Sequence, residues 1–201
     1  MNKIIFATGN QGKMNEIKEI MKDFLEKNNI EMLSLKQAGI DIDIVEDGDT
    51  FEENAMIKAK AIAAVTDAIV LADDSGLEVD YLDKAPGIYS ARYLGEETSY
   101  DVKNNHIIKL LDGVEEEKRS ARFVCAIACV LPDETNLCVR GTIEGRIGHE
   151  IIGENGFGYD PIFYVPEYGC TTAQLSVERK NEVSHRARAL KLMMDKLDKL
   201  Y

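Results

Sequence analysis

Two adjacent carboxylates follow an apolar run in Ile69-Val70-Leu71-Ala72-Asp73-Asp74, and Ser75-Gly76 completes the segment. Side-by-side acids are chemistry for holding a divalent cation and activating water. A solvated turn would also use these residues, but the carboxyl ends of strands in open α/β sheets are where ligands bind. A second segment, Thr8-Gly9-Asn10-Gln11-Gly12-Lys13, lies between the apolar Ile4-Ile5-Phe6 and an amphipathic stretch. A glycine-bearing strand-to-helix turn turns free backbone N–H groups toward a phosphate, the helix dipole favours its charge, and Lys13 adds a full positive charge. It is not a Walker P-loop, because the glycine spacing is too short and Met14 stands where Ser or Thr would hold magnesium. An ordinary surface turn is the plainer reading of this segment alone.

Phe157-Gly158-Tyr159-Asp160-Pro161 follows Gly153 and Gly156, giving a glycine-punctuated loop with two aromatics and a carboxylate. Aromatic faces and free backbone groups suit a purine, since stacking accepts any base while hydrogen bonds on its edge select one. A turn with packed aromatics is the alternative. Ser184-His185-Arg186, with Lys180 about one helical turn upstream, supplies cations. Such a run also occurs at the start of a solvated helix. Taken together, the four segments suit a nucleoside triphosphate with a metal.

These groups need a scaffold, and the chain alternates strand and helix from its start. Met14, Ile17, Ile20, Met21, Phe24 and Leu25 recur at helical spacing, predicting an amphipathic helix over residues 13 to 27, followed by a strand near 31 to 35. Thr50-Phe51-Glu52-Glu53 has the capping-box pattern and opens an alanine-rich helix to Val65. Residues 68 to 72 then read as a buried strand ending on the acid pair. That rhythm argues an α/β layered fold.

The second half is richer in strand. Residues 121 to 131 are almost wholly apolar, whereas Leu137, Val139, Ile143 and Ile147 alternate with Arg140, Thr142, Glu144 and Arg146. The intervening Pro132-Asp133-Glu134-Thr135-Asn136 is a turn by composition, so the pair reads as a long antiparallel hairpin. Ala189, Leu190, Met193, Met194, Leu197 and Leu200 predict a closing helix over 182 to 200. No repeat, low-complexity tract or linker interrupts the chain, so residues 1 to 201 are expected to form a single continuous domain.

At 201 residues and 45% hydrophobic content the chain can bury a sizeable core. It has no apolar run long enough to span a bilayer, and its start reaches Gly9 too soon for a signal peptide, so a soluble cytoplasmic protein is expected. Cys125, Cys129, Cys138 and Cys170 lack Cys-x-x-Cys spacing and are expected to be reduced. The net charge of −12 argues against nucleic acid as a partner, which requires excess Lys and Arg. A small anion escapes that restriction, because a few converging cations and a metal set the local field. His106 and His149 have no partner pattern and read as surface or structural.

On these segments, the chain resembles the inosine triphosphate pyrophosphatase family, the XTP/dITP diphosphatases, which cleave deaminated purine nucleoside triphosphates. Thr50-Phe51-Glu52-Glu53-Asn54-Ala55 and Pro86-Gly87-Ile88-Tyr89-Ser90-Ala91-Arg92-Tyr93 resemble two further family signatures in the family's order, and the likeness runs from Thr8 to the last helix. It implies a two-lobed α/β fold around an elongated mixed sheet with flanking helices and a central cleft, a homodimer and a Mg2+ requirement. It further implies that Thr8, Gly9, Asn10, Gln11, Gly12 and Lys13 hold the polyphosphate, with Lys58 and Arg92 nearby. Asp74 would be general base and metal contact beside Asp73, and Ser75 a substrate contact. Phe157, Gly158, Tyr159, Asp160, Lys180, His185 and Arg186 would frame base and sugar. The segment before Thr50 departs from many relatives, reading Val45-Glu46-Asp47-Gly48; Glu46 is the choice for a second metal carboxylate, with Asp47 the alternative.

A metal of this kind keeps several waters and takes one or two carboxylates plus phosphates. The expected reaction is attack of water on the α-phosphorus, yielding a monophosphate and pyrophosphate. Two rivals stand beside it: a nucleotide-binding regulator without turnover, which would gain nothing from carboxylates beside a polyphosphate, and a phosphatase releasing orthophosphate.

Overall fold

A computed structural model of the protein describes residues 2–199. Leu200, placed in the closing helix by its spacing, lies outside that range. In chain order the elements are β1 (Asn2–Phe6), α1 (Gln11–Lys27), β2 (Ile30–Ser34), α2 (Leu35–Ala38), α3 (Phe51–Ala63), β3 (Ile69–Val79), α4 (Tyr100–Leu110), β4 (Ser120–Val130), β5 (Asn136–Ile147), β6 (Phe163–Val165), β7 (Cys170–Thr171), α5 (Val177–Val183) and α6 (His185–Leu197). The strands form a seven-stranded sheet in the order β2-β1-β3-β4-β5-β6-β7. It is mixed: β1 runs parallel to β2 and β3, with Ile4 opposite both Met32 and Ile69, whereas β6 is antiparallel to β5 and β7.

The chain divides into two compact units. The first comprises the residues up to Asp74, Cys125–Gly141, and those from His185 on. Its core gathers Ile4 and Phe6 of β1, Met14, Ile17, Met21 and Phe24 of α1, and Ala189, Leu190, Met193 and Leu197 of α6. The i, i+3, i+4 spacing puts each helix's apolar stripe on one face, and burying each such side chain contributes about 1.5–3 kcal/mol. Gly141 in β5 permits close packing of α6, because a Cβ there would collide with the His185 carbonyl and the Ala189 backbone.

The second unit comprises Ser75–Val124 and Thr142–Ser184. Its core joins Leu77 and Val79 of β3, Ile107 of α4, Phe123, Ile143, Phe163 and Tyr159. Arg119, 1 % exposed, donates to the carbonyls of Leu111, Ile147 and Gly148 and so ties the end of α4 to the end of β5. All four cysteines are free. Among the described residues no helix is long and apolar enough to cross a membrane.

Three expectations need correction. Strand β3 does not end at the acid pair but continues through Asp73, Asp74, Ser75 and Gly76 to Val79. The expected closing helix is broken at Ser184, whose extended backbone (φ −65, ψ 160) separates α5 from α6. The Thr50 cap forms only half the expected box: Thr50 accepts from the Glu53 N–H, but Glu53 reaches back to the Asp49 N–H.

Candidate active site

In the first unit, the turn after β1 ends at Asn10, whose side chain accepts from the Lys13 N–H and caps α1. Gln11, Gly12 and Lys13 therefore belong to the first helical turn rather than to a loop. Gly9, Asn10, Gln11 and Gly12 are exposed, Thr8 is half-buried, and a Cβ on Gly9 would meet nothing within 4 Å. This is an accessible helix N-terminus, and its dipole favours anions.

The Lys13 Nζ crosses from α1 to Asp73 Oδ2 at 3.0 Å. Arg186, in the first turn of α6 and 1 % exposed, lies 3.6 Å from the same oxygen and pairs with Glu16 Oε2 at 2.7 Å. Asp73 is 2 % exposed, so burial alone would raise its pKa; Lys13, Arg186 and Lys58 outweigh burial and hold the carboxyl well below its ordinary value. Asp73 is the fixed anion of the cluster.

Asp74 differs. Lys58, on α3, lies 3.4 Å from its Oδ1 and donates to Glu46 Oε2 at 2.7 Å. Burial and the neighbouring Glu46 and Asp73 charges outweigh Lys58 and raise the Asp74 pKa, while against its own burial Lys58 is raised by Asp74 first, then by Asp73 and Glu46. Asp74 Oδ2 is buried and has no hydrogen-bond partner among the described residues. A buried acceptor left bare is costly, and it marks where a cation or a water molecule fits. Of the two candidate acids before Thr50, Glu46 reaches this cluster through Lys58 whereas Asp47 is exposed. Among the described residues no three His, Cys, Asp or Glu side chains are assembled to hold a metal alone. A Mg2+ that takes one or two carboxylates and completes its shell with water and phosphate is compatible with that.

In the second unit, the Gly153–Asp160 loop is stiffer than its glycines suggest. Asp160, 3 % exposed, accepts from the Phe157 N–H at 2.8 Å, Thr172 Oγ1 at 2.8 Å and Lys180 Nζ at 2.5 Å. The Lys180 Nζ also lies 4.9 Å from the Phe157 ring centre. Gly156, at φ +78, leaves no space for a Cβ beside the Asp160 carboxylate and Lys180. Phe157 is 42 % exposed, so its ring can take a stacked base. Tyr159 corrects the expectation of two available aromatics: it is 3 % exposed, donates its hydroxyl to the Ser90 carbonyl and meets Tyr100 edge-on. Arg92 lies 4.9 Å from the Tyr89 ring centre, and Ser75 is half-buried in β3.

Ser184, His185 and Arg186 are 2 %, 7 % and 1 % exposed, which sets aside the solvated-helix reading of that run. Glu16 was not anticipated. It sits one turn after Lys13 on α1, a spacing that shares a helix face, and that was the available signal.

The geometry is therefore that of an α/β protein with an exposed helix start beside a partly neutralised carboxylate pair. The profile of the Ham1 family matches residues 4–196, and the chain belongs to that family. It is 47% identical to the dITP/XTP pyrophosphatase of Clostridium perfringens over 98% of each chain. It is 49% identical to that of Listeria monocytogenes over 95% of this chain and 92% of the relative. The solved Ham1 protein of Staphylococcus aureus superimposes with a TM-score of 0.87 at 42% identity, covering 100% of both chains.

Proposed function

We propose that this protein hydrolyses deaminated purine nucleoside triphosphates, namely dITP, XTP and ITP, to the monophosphate and pyrophosphate, and so clears them from the nucleotide pool. The observation that carries the reading is Asp74: a buried carboxylate with raised pKa, one oxygen facing Lys58 and the other bare, in a chain aligned end to end with dITP/XTP pyrophosphatases.

In this reading the exposed start of α1 and Lys13 bind the polyphosphate, and Asp73 keeps Lys13 and Arg186 oriented until substrate arrives. Asp74 orients and deprotonates the water that attacks the α-phosphorus. Glu46, Asp73 and Asp74 would hold Mg2+, which supplies positive charge to the polyphosphate as pyrophosphate leaves. Phe157 stacks on the base, while Gly158, Asp160, Lys180, His185 and Arg186 frame base and sugar, with Ser75 and Arg92 as further contacts. Tyr159, bonded to Ser90 and packed on Tyr100, supports the Phe157–Asp160 loop. A 6-oxo purine offers an acceptor where adenine offers an amino donor, so N–H donors at that edge favour the deaminated base.

The enzyme would act as a homodimer, without nucleic acid or membrane partners, in the cytoplasm, a reducing compartment that suits four free cysteines. Sedimentation giving only the monomer mass at micromolar concentration would remove the dimer. The deciding assay compares products from dITP, XTP, ITP, ATP and GTP: pyrophosphate from the first three in preference is expected, and orthophosphate or no turnover would favour the two rival readings.

A further inference from the structure

Helix α4 carries two buried polar side chains that the reaction described above does not use. Lys103 and Asn104 are each 1 % exposed. The Lys103 ammonium donates to the Ala91 carbonyl at 2.6 Å and lies 4.9 Å from the Tyr100 ring centre, with no carboxylate paired to it among the described residues. Asn104 donates through Nδ2 to the Gly158 carbonyl at 3.1 Å, and its buried Oδ1 has no hydrogen-bond partner among the described residues. An ammonium solvated only by a carbonyl and a ring, and an amide with a bare acceptor, are both costly to bury. An apolar face on α4 would cover this core at lower cost.

What distinguishes the two residues is where their partners lie. Ala91 belongs to the Pro86–Tyr93 segment, which carries Arg92, and Gly158 follows Phe157 in the loop that presents an exposed ring. Gly158 has φ +69, a backbone that only glycine adopts without strain, so holding its carbonyl fixes the peptide next to that ring. The two segments are also tied directly: Tyr159 Oη donates to the Ser90 carbonyl at 2.8 Å. Ser90 Oγ in turn donates to the Gly87 carbonyl and accepts from the Leu77 N–H of β3. Tyr100, at the start of α4, packs edge-on against Tyr159 with ring centres 5.2 Å apart. Consecutive residues of one helix thus hold two loops that are already bonded to each other.

We propose that Lys103 and Asn104 are positioning residues for substrate selection, setting the Ser90–Ala91–Arg92 backbone in register with the Phe157–Asp160 loop so that base face and cation are presented together. This rests on the functional reading given above, and it assigns α4 to selection rather than to water activation.

Lys103→Met and Asn104→Leu keep side-chain volume and remove the donors. Each is expected to raise the KM for dITP about 10-fold, to change kcat less than about threefold, and to reduce the preference for dITP over dGTP about 10-fold. Amide exchange should quicken at both Ala91–Arg92 and Phe157–Gly158 in each variant, including Asn104→Leu, which touches only one of the two loops. Loss confined to melting temperature or to kcat, with KM and selectivity unchanged, would overturn the proposal. Should either variant fail to fold, Tyr159→Phe decides by the same selectivity ratio, since it removes only the hydroxyl that ties the loops. Wild-type protein that releases pyrophosphate from dITP while the variants keep its selectivity leaves the function standing and removes the role of α4. Wild-type protein that releases none removes both.

Discussion

Asp74 and Asp160 are both buried carboxylates, but their partners satisfy them to different degrees. Asp160 has both oxygens engaged within one unit: a backbone N–H and the Lys180 ammonium reach Oδ2, and a hydroxyl reaches Oδ1. Around Asp74 the accounting is left open, with Lys58 shared between two acids and one carboxylate oxygen without a partner among the described residues. A saturated buried pair holds a loop still. An incompletely satisfied one keeps capacity for an incoming group, and perturbed carboxylates of that kind concentrate at functional sites. Under the proposed function, the first arrangement suits a frame for the base and the second a centre for chemistry.

Removing Asp160 should cost the fold most. Asp160→Ala leaves the buried Lys180 ammonium uncompensated and should reduce unfolding free energy by about 3–5 kcal/mol in urea denaturation. A change below about 1 kcal/mol would mean that the pair does not frame the loop. On the open side, Asp74→Asn should reduce kcat about 100-fold or more with KM little changed, because the cations that bind substrate remain. Near wild-type turnover at saturating magnesium would remove Asp74 as the base.

Lys13→Met should have a smaller effect on each parameter, roughly 10-fold in both KM and kcat, since it removes a phosphate contact used before and during the reaction. A shift in melting temperature alone would return Lys13 to an ordinary helix start.

The pH dependence distinguishes Asp74 from Asp73 by smaller changes. The base must be ionised, so kcat/KM should fall as pH drops through the raised Asp74 pKa, placing the acid limb above the ordinary carboxylate range. Its stability term has the opposite sense. A group with raised folded pKa stabilises fully below its unfolded pKa and loses that contribution as pH rises through the folded value. Asp73, with depressed pKa, contributes above the unfolded value of 3.8 and loses it as pH falls further. Asp74→Asn should therefore unfold no more easily than wild type at neutral pH while lacking the acid limb. An unchanged limb in that variant would assign it to another group.

Much of the scaffold was legible because burial follows periodicity: α1, the apolar β4 and the half-wet β5 each declare their buried face. The extension of β3 through Asp73-Asp74-Ser75 was not, because buried carboxylates contradict a strand pattern unless their counter-charges are known, and Lys13, Lys58 and Arg186 are distant in sequence. The break at Ser184 was hidden for a similar reason. His185 and Arg186 look like a solvated helix start, and only the tertiary partners of Arg186, Glu16 and Asp73, explain its burial. In the Phe157–Asp160 loop the residue types were legible, but which aromatic is exposed depends on Tyr100 and Ser90, which propensity does not reveal.

In the proposed reaction, water activated by Asp74 attacks the α-phosphorus. Turnover of dITP in water enriched in heavy oxygen tests it most directly. Attack at the α-phosphorus leaves one labelled oxygen in deoxyinosine monophosphate and none in the pyrophosphate released; label in pyrophosphate, or release of orthophosphate in its place, rules that attack out.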